Sequence, residues 1–505
     1  MTPSLKTLSL SSVAGKESVL SVSAVVHTFV SPAGPLSSLP ACLLIAGLGF
    51  CGSLHAQTIP AQNTTYQYEY DELGNVTKIT SPLKAVTQQR YDALGRLQSQ
   101  TDANNQTTSY GYDGQNRLTQ VTDARNLTTR YTIDGLGNQL GLSSPDTGST
   151  TTTADAAGNI LSSTDAKGQT TRYTYDVLNR LTSISYSDGQ VTSYTYDQGD
   201  NAKGRLTQIQ DASGSIQLSY DSRGRVLSET RSLNNGGTPL VSTTRYQWDS
   251  MGRLQQLTYP NGRQIRYTRD NLGRITQIDT SKDGMTQTLL SQISYRPFGG
   301  VQSYLNSTGQ SYTRSFDADG RITGYTLNNL AQSISYDAAN RITSISEANN
   351  NARQSSYGYD NLDRLTSYLS AQTNQNFSYD AVGNRNSKTT GSTTTSYSYS
   401  PASNRLTQIS GSQTSAIQMD ANGSTTSNGN AQMSYDARGR LVTVKTAAGT
   451  VQYQINAYGQ RVQKTGPTAS TWYHYDQSGR LISERTGQSD TDYVYLDDIP
   501  VVVLK

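Results

Sequence analysis

Residues able to do chemistry are few in this chain and unevenly placed. Both cysteines, Cys42 and Cys51, and two of the three histidines, His27 and His55, fall within the first 56 residues. Beyond them stands His474 alone. Disulfide frameworks, thiolate metal sites, cysteine nucleophiles and multi-histidine zinc sites all need such side chains in clusters. Residues 57–505 offer none by pattern, so no metal and no cofactor is expected there. A Ser-His-Asp relay would have to use His474, which sits between Tyr473 and Tyr475 without a nucleophile-elbow sequence. The chain is therefore read as a non-enzyme.

Three other residue types recur with regular spacing. Aspartates such as Asp71, Asp92, Asp113, Asp176 and Asp197 form a row, but without the clustered odd-position carboxylates of a calcium loop. Their constant place at the start of a turn points to capping of turn amides. Arginines such as Arg96, Arg117, Arg180, Arg253, Arg274, Arg321, Arg341, Arg440 and Arg480 recur four residues after a turn aspartate or its counterpart. Such a stripe suits a phosphate or glycan, but pairing with the turn aspartate or stacking on a neighbouring tyrosine accounts for it more simply. Tyrosine is the third type, with 34 copies against 5 Phe and 2 Trp. A ring with a hydroxyl suits a half-wet β surface. Tyr91, Tyr110, Tyr112, Tyr173 and Tyr175 are the candidate ligand-facing residues, because aromatic faces stack on sugar rings; packing between repeats is the competing account.

The elements that hold these residues follow from their spacing. Aligned on a Tyr-Asp step, anchors fall at Tyr70, Tyr91, Tyr112, Ile133, Ala154, Tyr175 and Tyr196, about 21 residues apart. The spacing then loosens, with further anchors through Tyr220, Trp248, Tyr336, Tyr379, Tyr435 and Tyr495. This gives about 21 units over residues 57–505, most regular over 66–216. In one unit, Thr107-Thr108-Ser109-Tyr110-Gly111-Tyr112 reads as a strand with Thr108, Tyr110 and Tyr112 on one face. Asp113-Gly114-Gln115-Asn116 is a turn, Arg117 to Thr122 is the returning strand, and Asp123-Ala124-Arg125-Asn126 is a second turn. The fourth turn position wants a left-handed backbone. It holds Gly74, Gly95 and Gly439, or Asn116 and Asn179, which are the residue types that tolerate it. Asp71, Asp92, Asp113, Asp176 and Asp436 open those same turns.

A single hairpin is not stable alone, so neighbours must supply its sheet partners. The expected fold is all-β: tandem hairpins in one long antiparallel ribbon of some 40 strands. A ribbon of that length must twist and curl. Only 33% of residues are hydrophobic and mean hydropathy is −0.60, too little to fill a thick interior, so the spiral is expected to be hollow. The formal charge of +3 comes without a basic block, which argues against nucleic acid. Residues 1–56 read as an atypical leader. Ala41 to Phe50 is a short apolar run, too short to span a bilayer. Ser53-Leu54-His55-Ala56 ends in a small residue before Gln57, although Lys6 and Lys16 lie far upstream. Secretion or surface exposure without a transmembrane span is expected.

The signature in Tyr91-Asp92-Ala93-Leu94-Gly95-Arg96-Leu97 and Tyr435-Asp436-Ala437-Arg438-Gly439-Arg440-Leu441 resembles the RHS/YD-repeat family. The match runs from about Tyr66 to Lys505. The resemblance implies a β-ribbon wound into a shell that encloses a polypeptide, or a cell-surface module. In toxin relatives a self-cleaving core and a toxin follow the shell, and neither is recognisable up to Lys505. The leading expectation is a structural shell or cell-surface interaction module, with a carbohydrate-binding adhesin and a polymorphic-toxin remnant as alternatives. Cargo, glycan and oligomeric state are not encoded in any readable motif.

Overall fold

The computed structural model describes residues 64–297 and 299–505; the expected leader lies outside the described residues. Among the described residues there are 43 strands, and no helix is long and apolar enough to cross a membrane. At every step but one, each strand pairs antiparallel with the next in sequence, as in Val86–Tyr91 with Leu97–Thr101 and Leu97–Thr101 with Thr107–Tyr112. The pairing is a meander without crossovers, as short connections, the longest being residues 197–205, require.

The same local geometry recurs at one end of the hairpins. Tyr91 faces Leu97 while Arg90 faces Ser99, so one residue bulges from the returning strand. Gly95 N donates to Asp92 O (2.9 Å) and Asp92 N donates to Arg96 O (2.9 Å), which closes a turn followed by a left-handed residue. This turn-plus-bulge is why the fourth position carries positive φ. The values are +84° at Gly74, +73° at Gly95, +64° at Asn116, +58° at Asn179 and +73° at Gly439.

The ribbon departs from the expected single sheet at one place. It divides into a 33-stranded sheet that is not closed and a 10-stranded sheet, meeting at Ile417 between the strands Ser415–Ala416 and Gln418–Met419. The sequence from Ser410 to Asn430 is rich in Ser, Gly and Asn. Strands of two and three residues there are too short to carry a continuous ladder.

The ribbon also returns upon itself as a spiral. Residues of a first course, from Asp123 to Arg263, touch residues of a second course, from Asp380 to Asp492, at sequence separations of 220 to 281. Both courses run in the same direction along the seam. The separation shrinks from 281 at Asp123–Asn404 to 229 at Arg263–Asp492, so the second course covers the same seam with fewer residues. The hydrophobic core lies where the courses meet near their ends. It gathers Leu257, Ile265, Ile278 and Leu290 of the first course with Ile482, Val494 and Leu496 of the second.

Candidate functional site

The Tyr-Asp turn is built from its aspartate outward. Asp92 Oδ1 accepts Leu94 N (2.9 Å) and Arg96 N (3.0 Å), and Oδ2 accepts Arg96 Nε (2.7 Å). The hydrogen bonds from Arg96 hold the Asp92 carboxyl below the usual carboxylate range. Asp113 and Asp176 repeat the arrangement with Arg117 and Arg180, and the hydrogen bonds their arginines donate again lower both carboxyls. Asp436 does so with Arg440 (2.7 Å). At Asp71 the partner is Asn75, whose Nδ2 takes the place of the guanidinium (2.9 Å).

The arginine then reaches the next repeat. Arg96 Nη1 donates to Asp113 O (3.1 Å) and Arg364 Nη1 to Asp380 O (3.0 Å). The same guanidinium lies over the next anchor ring, 4.9 Å from the centroid for Arg96 over Tyr112 and 4.4 Å for Arg180 over Tyr196. One arginine therefore caps its own turn, ties to the following turn and covers the following tyrosine.

The anchor tyrosine adds a tie in the opposite direction. Its hydroxyl donates to the carbonyl of the residue just after the arginine, or its counterpart, one repeat earlier. Tyr91 donates to Val76 O (3.0 Å), Tyr112 to Leu97 O (2.9 Å), Tyr175 to Ile160 O (3.0 Å) and Tyr379 to Leu365 O (2.7 Å). Where the anchor is not tyrosine, the bond can persist: Trp248 Nε1 donates to Val226 O (2.8 Å) and Arg269 to Leu254 O (2.7 Å). The slot thus favours a long side chain ending in a donor, with Ile133 and Ala154 among the anchors that lack one. Sequence reasoning missed this, although the excess of Tyr over Phe and the two exceptions were its signal. Of the candidate ligand-facing tyrosines, Tyr91, Tyr112 and Tyr175 use their hydroxyls in these ties. Tyr110 and Tyr173 lie half-buried on the same face, and burial raises the Tyr173 hydroxyl above its ordinary value.

The seam between courses is a second constellation. Short turns of the first course meet Tyr-Asp-type turns of the second. Arg125 donates to Ser400 O (2.9 Å), Ser403 O (3.0 Å) and Asn404 Oδ1 (2.8 Å). Asn422 Nδ2 donates to Asp165 (2.6 Å), and Lys167 pairs with Asp420 (3.5 Å). Further along, Asp492 is fully buried and accepts Arg263 Nε (2.7 Å), Asn261 Nδ2 (2.8 Å) and Ser483 Oγ (2.7 Å). Tyr259 Oη donates to Tyr493 O (2.8 Å).

His474 belongs to this seam. Strand register places His474, Ser483 and Asp492 side by side on three neighbouring strands, and all three are buried. They do not form a relay, because Ser483 donates to Asp492, while His474 Nδ1 faces Ser242 Oγ across the seam at 3.4 Å. Burial first, then the charges of Arg231 and Arg485, pushes the His474 imidazole down to about 4. Among the described residues no group of three or more His, Cys, Asp or Glu could hold a metal.

Comparison with known proteins places this geometry. The teneurin YD-shell family matches residues 199–327 and 313–466, and the RHS repeat family matches 91–128 and 155–191. No curated protein matches the chain. The fold is similar to that of a crystallised TcdB2-TccC3-TEV protein, with a TM-score of 0.70 and 17% identity over 85% of this chain. It is also similar to a Photorhabdus luminescens Tc holotoxin pore carrying a mutated TccC3, with a TM-score of 0.65 and 16% identity over 85% of this chain. The chain spans 28% and 27% of those two proteins.

Proposed function

Because this chain belongs to the RHS/YD-repeat shell family, a family of structural repeats, we propose that it acts as a non-catalytic wall around a polypeptide. The observation that carries this reading is the seam, where a repeat ribbon lies course on course, turn edge against turn edge. The signature residues support it too, since their polar groups serve the wall itself: aspartate caps the turn, and arginine and tyrosine tie one repeat to the next. The fold of the TcdB2-TccC3 structures is in keeping with it. Export through the atypical leader, ending before Gln57, would deliver the wall outside the cell.

The test is protease protection. A polypeptide fused after Lys505 should resist protease while the wall is folded and be cut once the wall is melted. Cutting at the rate of the free polypeptide, in the folded protein, would remove encapsulation from consideration.

A glycan-binding surface is the second reading, favoured by one feature. Tyr304 and Tyr312 stack at 4.7 Å with rings 20° apart, Tyr325 stands 6.4 Å from Tyr312, and Arg314 covers Tyr312 at 5.3 Å. These three tyrosines are not anchors and form a row across adjacent strands. A glycan array without signal would end this reading and leave the first untouched.

A further inference from the structure

The single histidine of the described residues is buried on the seam. His474, on the strand Ser470–Tyr475, is sealed between that strand's neighbours and the first-course strand Leu240–Trp248. The charged groups around it are already committed. Arg231, on Val226–Leu233, pairs with Glu229, and both are buried. Arg485, on Leu481–Thr486, is held by Asp490 of Ser489–Leu496 through two bonds of 2.6 and 3.0 Å. Asp492, two strands from His474, is saturated by Arg263, Asn261 and Ser483. Among the described residues, the imidazole's side-chain partner is the Ser242 hydroxyl. One guanidinium nitrogen of Arg231 is itself buried without a side-chain partner, and each carboxylate of these pairs is already matched by an arginine, so the pocket has no acceptor to spare for a further N–H.

We propose that His474 is an acid-operated latch on the seam: neutral, it lets the two courses close, and protonated, it drives them apart. No carboxylate is free to receive an imidazolium there, and two arginines repel it. Parting the seam lets water solvate the new charge, which is the relief a packed pocket cannot give.

The sign and the window follow from linkage. Closed, His474 titrates at about 4; solvated, it titrates near its ordinary 6.5. The open state therefore binds the proton more readily. Seam stability is fully present above about 6.5, falls as pH drops toward 4, and then levels off. The turn aspartates Asp92, Asp113 and Asp176 are shifted below their ordinary 3.8, so their contribution is lost only at lower pH. The window between pH 6.5 and about 4.5 lies above the loss of these aspartate contributions.

The protein carries a convenient reporter. Its two tryptophans are Trp248 and Trp472; the first packs on the seam core and the second lies two residues from His474. The experiment follows tryptophan emission and amide hydrogen exchange, corrected for intrinsic rates, in parent and H474Q from pH 7 to 4.5. In the parent, protection of Ser470–Leu496 should fall on the order of a hundredfold, with a red shift in emission, while Val86–Thr122 stays unchanged. H474Q should show neither change. Equal seam protection at both ends of the range, or a step that survives in H474Q, would overturn the proposal. Should H474Q not fold, R485Q provides the second arm: loss of that cation frees Asp490, and the His474 Cε1 proton resonance must titrate at higher pH than in the parent. An unmoved midpoint would also overturn it.

Discussion

The repeats from Gln67 to Ser185, which touch the second course through polar turn contacts, and those that pack on it near the end of the seam share one signature but are held differently. In the first group every residue is at least partly exposed; the sheet is a single layer tied by aspartate caps, arginine staples and tyrosine hydroxyls. Where Leu240–Tyr295 meets Arg461–Leu504, the same kind of ribbon gains a second layer, and Ile265, Ile278, Ile482, Val494 and Leu496 become fully or almost fully buried. The third turn position makes the contrast at a single slot. Leu94 and Leu178 are 69% and 67% exposed in the first course, whereas Leu362 and Val382 of the second course are half-buried in a cleft shared with Gln100, Thr108 and Ala124. Polar ties thus suffice to continue a repeat, and apolar burial is reserved for holding one course to another.

The sharpest way to break this contrast is to remove a methyl-rich side chain from each region. Ile482 is fully buried, so Ile482→Ala should cost about 4 kcal/mol and lower the melting temperature by several degrees. Val121, half-exposed in the single layer, should cost about 1 kcal/mol as Val121→Ala. Chemical denaturation of the two variants checks both values. Equal losses would mean that the single layer has a hidden apolar partner.

Ion pairs should divide in the same way. Asp492 is fully buried and its partner Arg263 mostly so, so Asp492→Ala leaves a guanidinium uncompensated inside the seam and should cost about 3 kcal/mol. Asp92→Ala breaks a pair whose side chains retain 23% and 22% exposure, and its effect should be clearly smaller in the same denaturation experiment. A reversed order would place the strength of the wall in its turns instead of its seam.

Much of the unit was legible in the sequence, because each of its parts repeats. The strand pair, the aspartate cap and the Gly or Asn slot are all visible at Asp92-Ala93-Leu94-Gly95, and the arginine was open to two readings that the structure combines in one side chain. The seam was not legible. Asp123 and Asn404, or Arg263 and Asp492, are joined across more than 200 residues, and nothing periodic marks such a pair. Even the loosened spacing has a local counterpart. The most regular units close their second turn over four residues, with Asn105 N donating to Asp102 O. Thr446 and Gly449, or Thr486 and Ser489, instead pair directly across two-residue turns in the second course. The shorter turn accompanies the steps from Tyr435 to Ile455 and from Tyr475 to Tyr495, which are shorter than those between Tyr70, Tyr91 and Tyr112.

A backbone substitution separates turn geometry from side-chain ties within the single layer. Gly95 has φ +73°, and a Cβ there would find nothing closer than Asn75 at 3.9 Å. Gly95→Val should therefore cost about 1–2 kcal/mol through backbone strain alone, and Gly95→Asn much less. Identical melting of the Val and Asn variants would refute the left-handed assignment.

The smallest effect isolates the anchor hydroxyl. Tyr112→Phe keeps the ring beneath Arg96 and removes only the bond to Leu97 O, so it should cost about 1 kcal/mol. Ile133 offers the converse change. It occupies an anchor slot without a donor, one repeat after Leu118, whose carbonyl is the counterpart of Leu97 O. Ile133→Tyr should stabilise the single layer by up to about 1 kcal/mol if the tie is transferable. Local hydrogen exchange in Leu118–Thr122 reads this directly: slower exchange supports a portable tie between repeats, and unchanged exchange confines the tie to units that evolved around it.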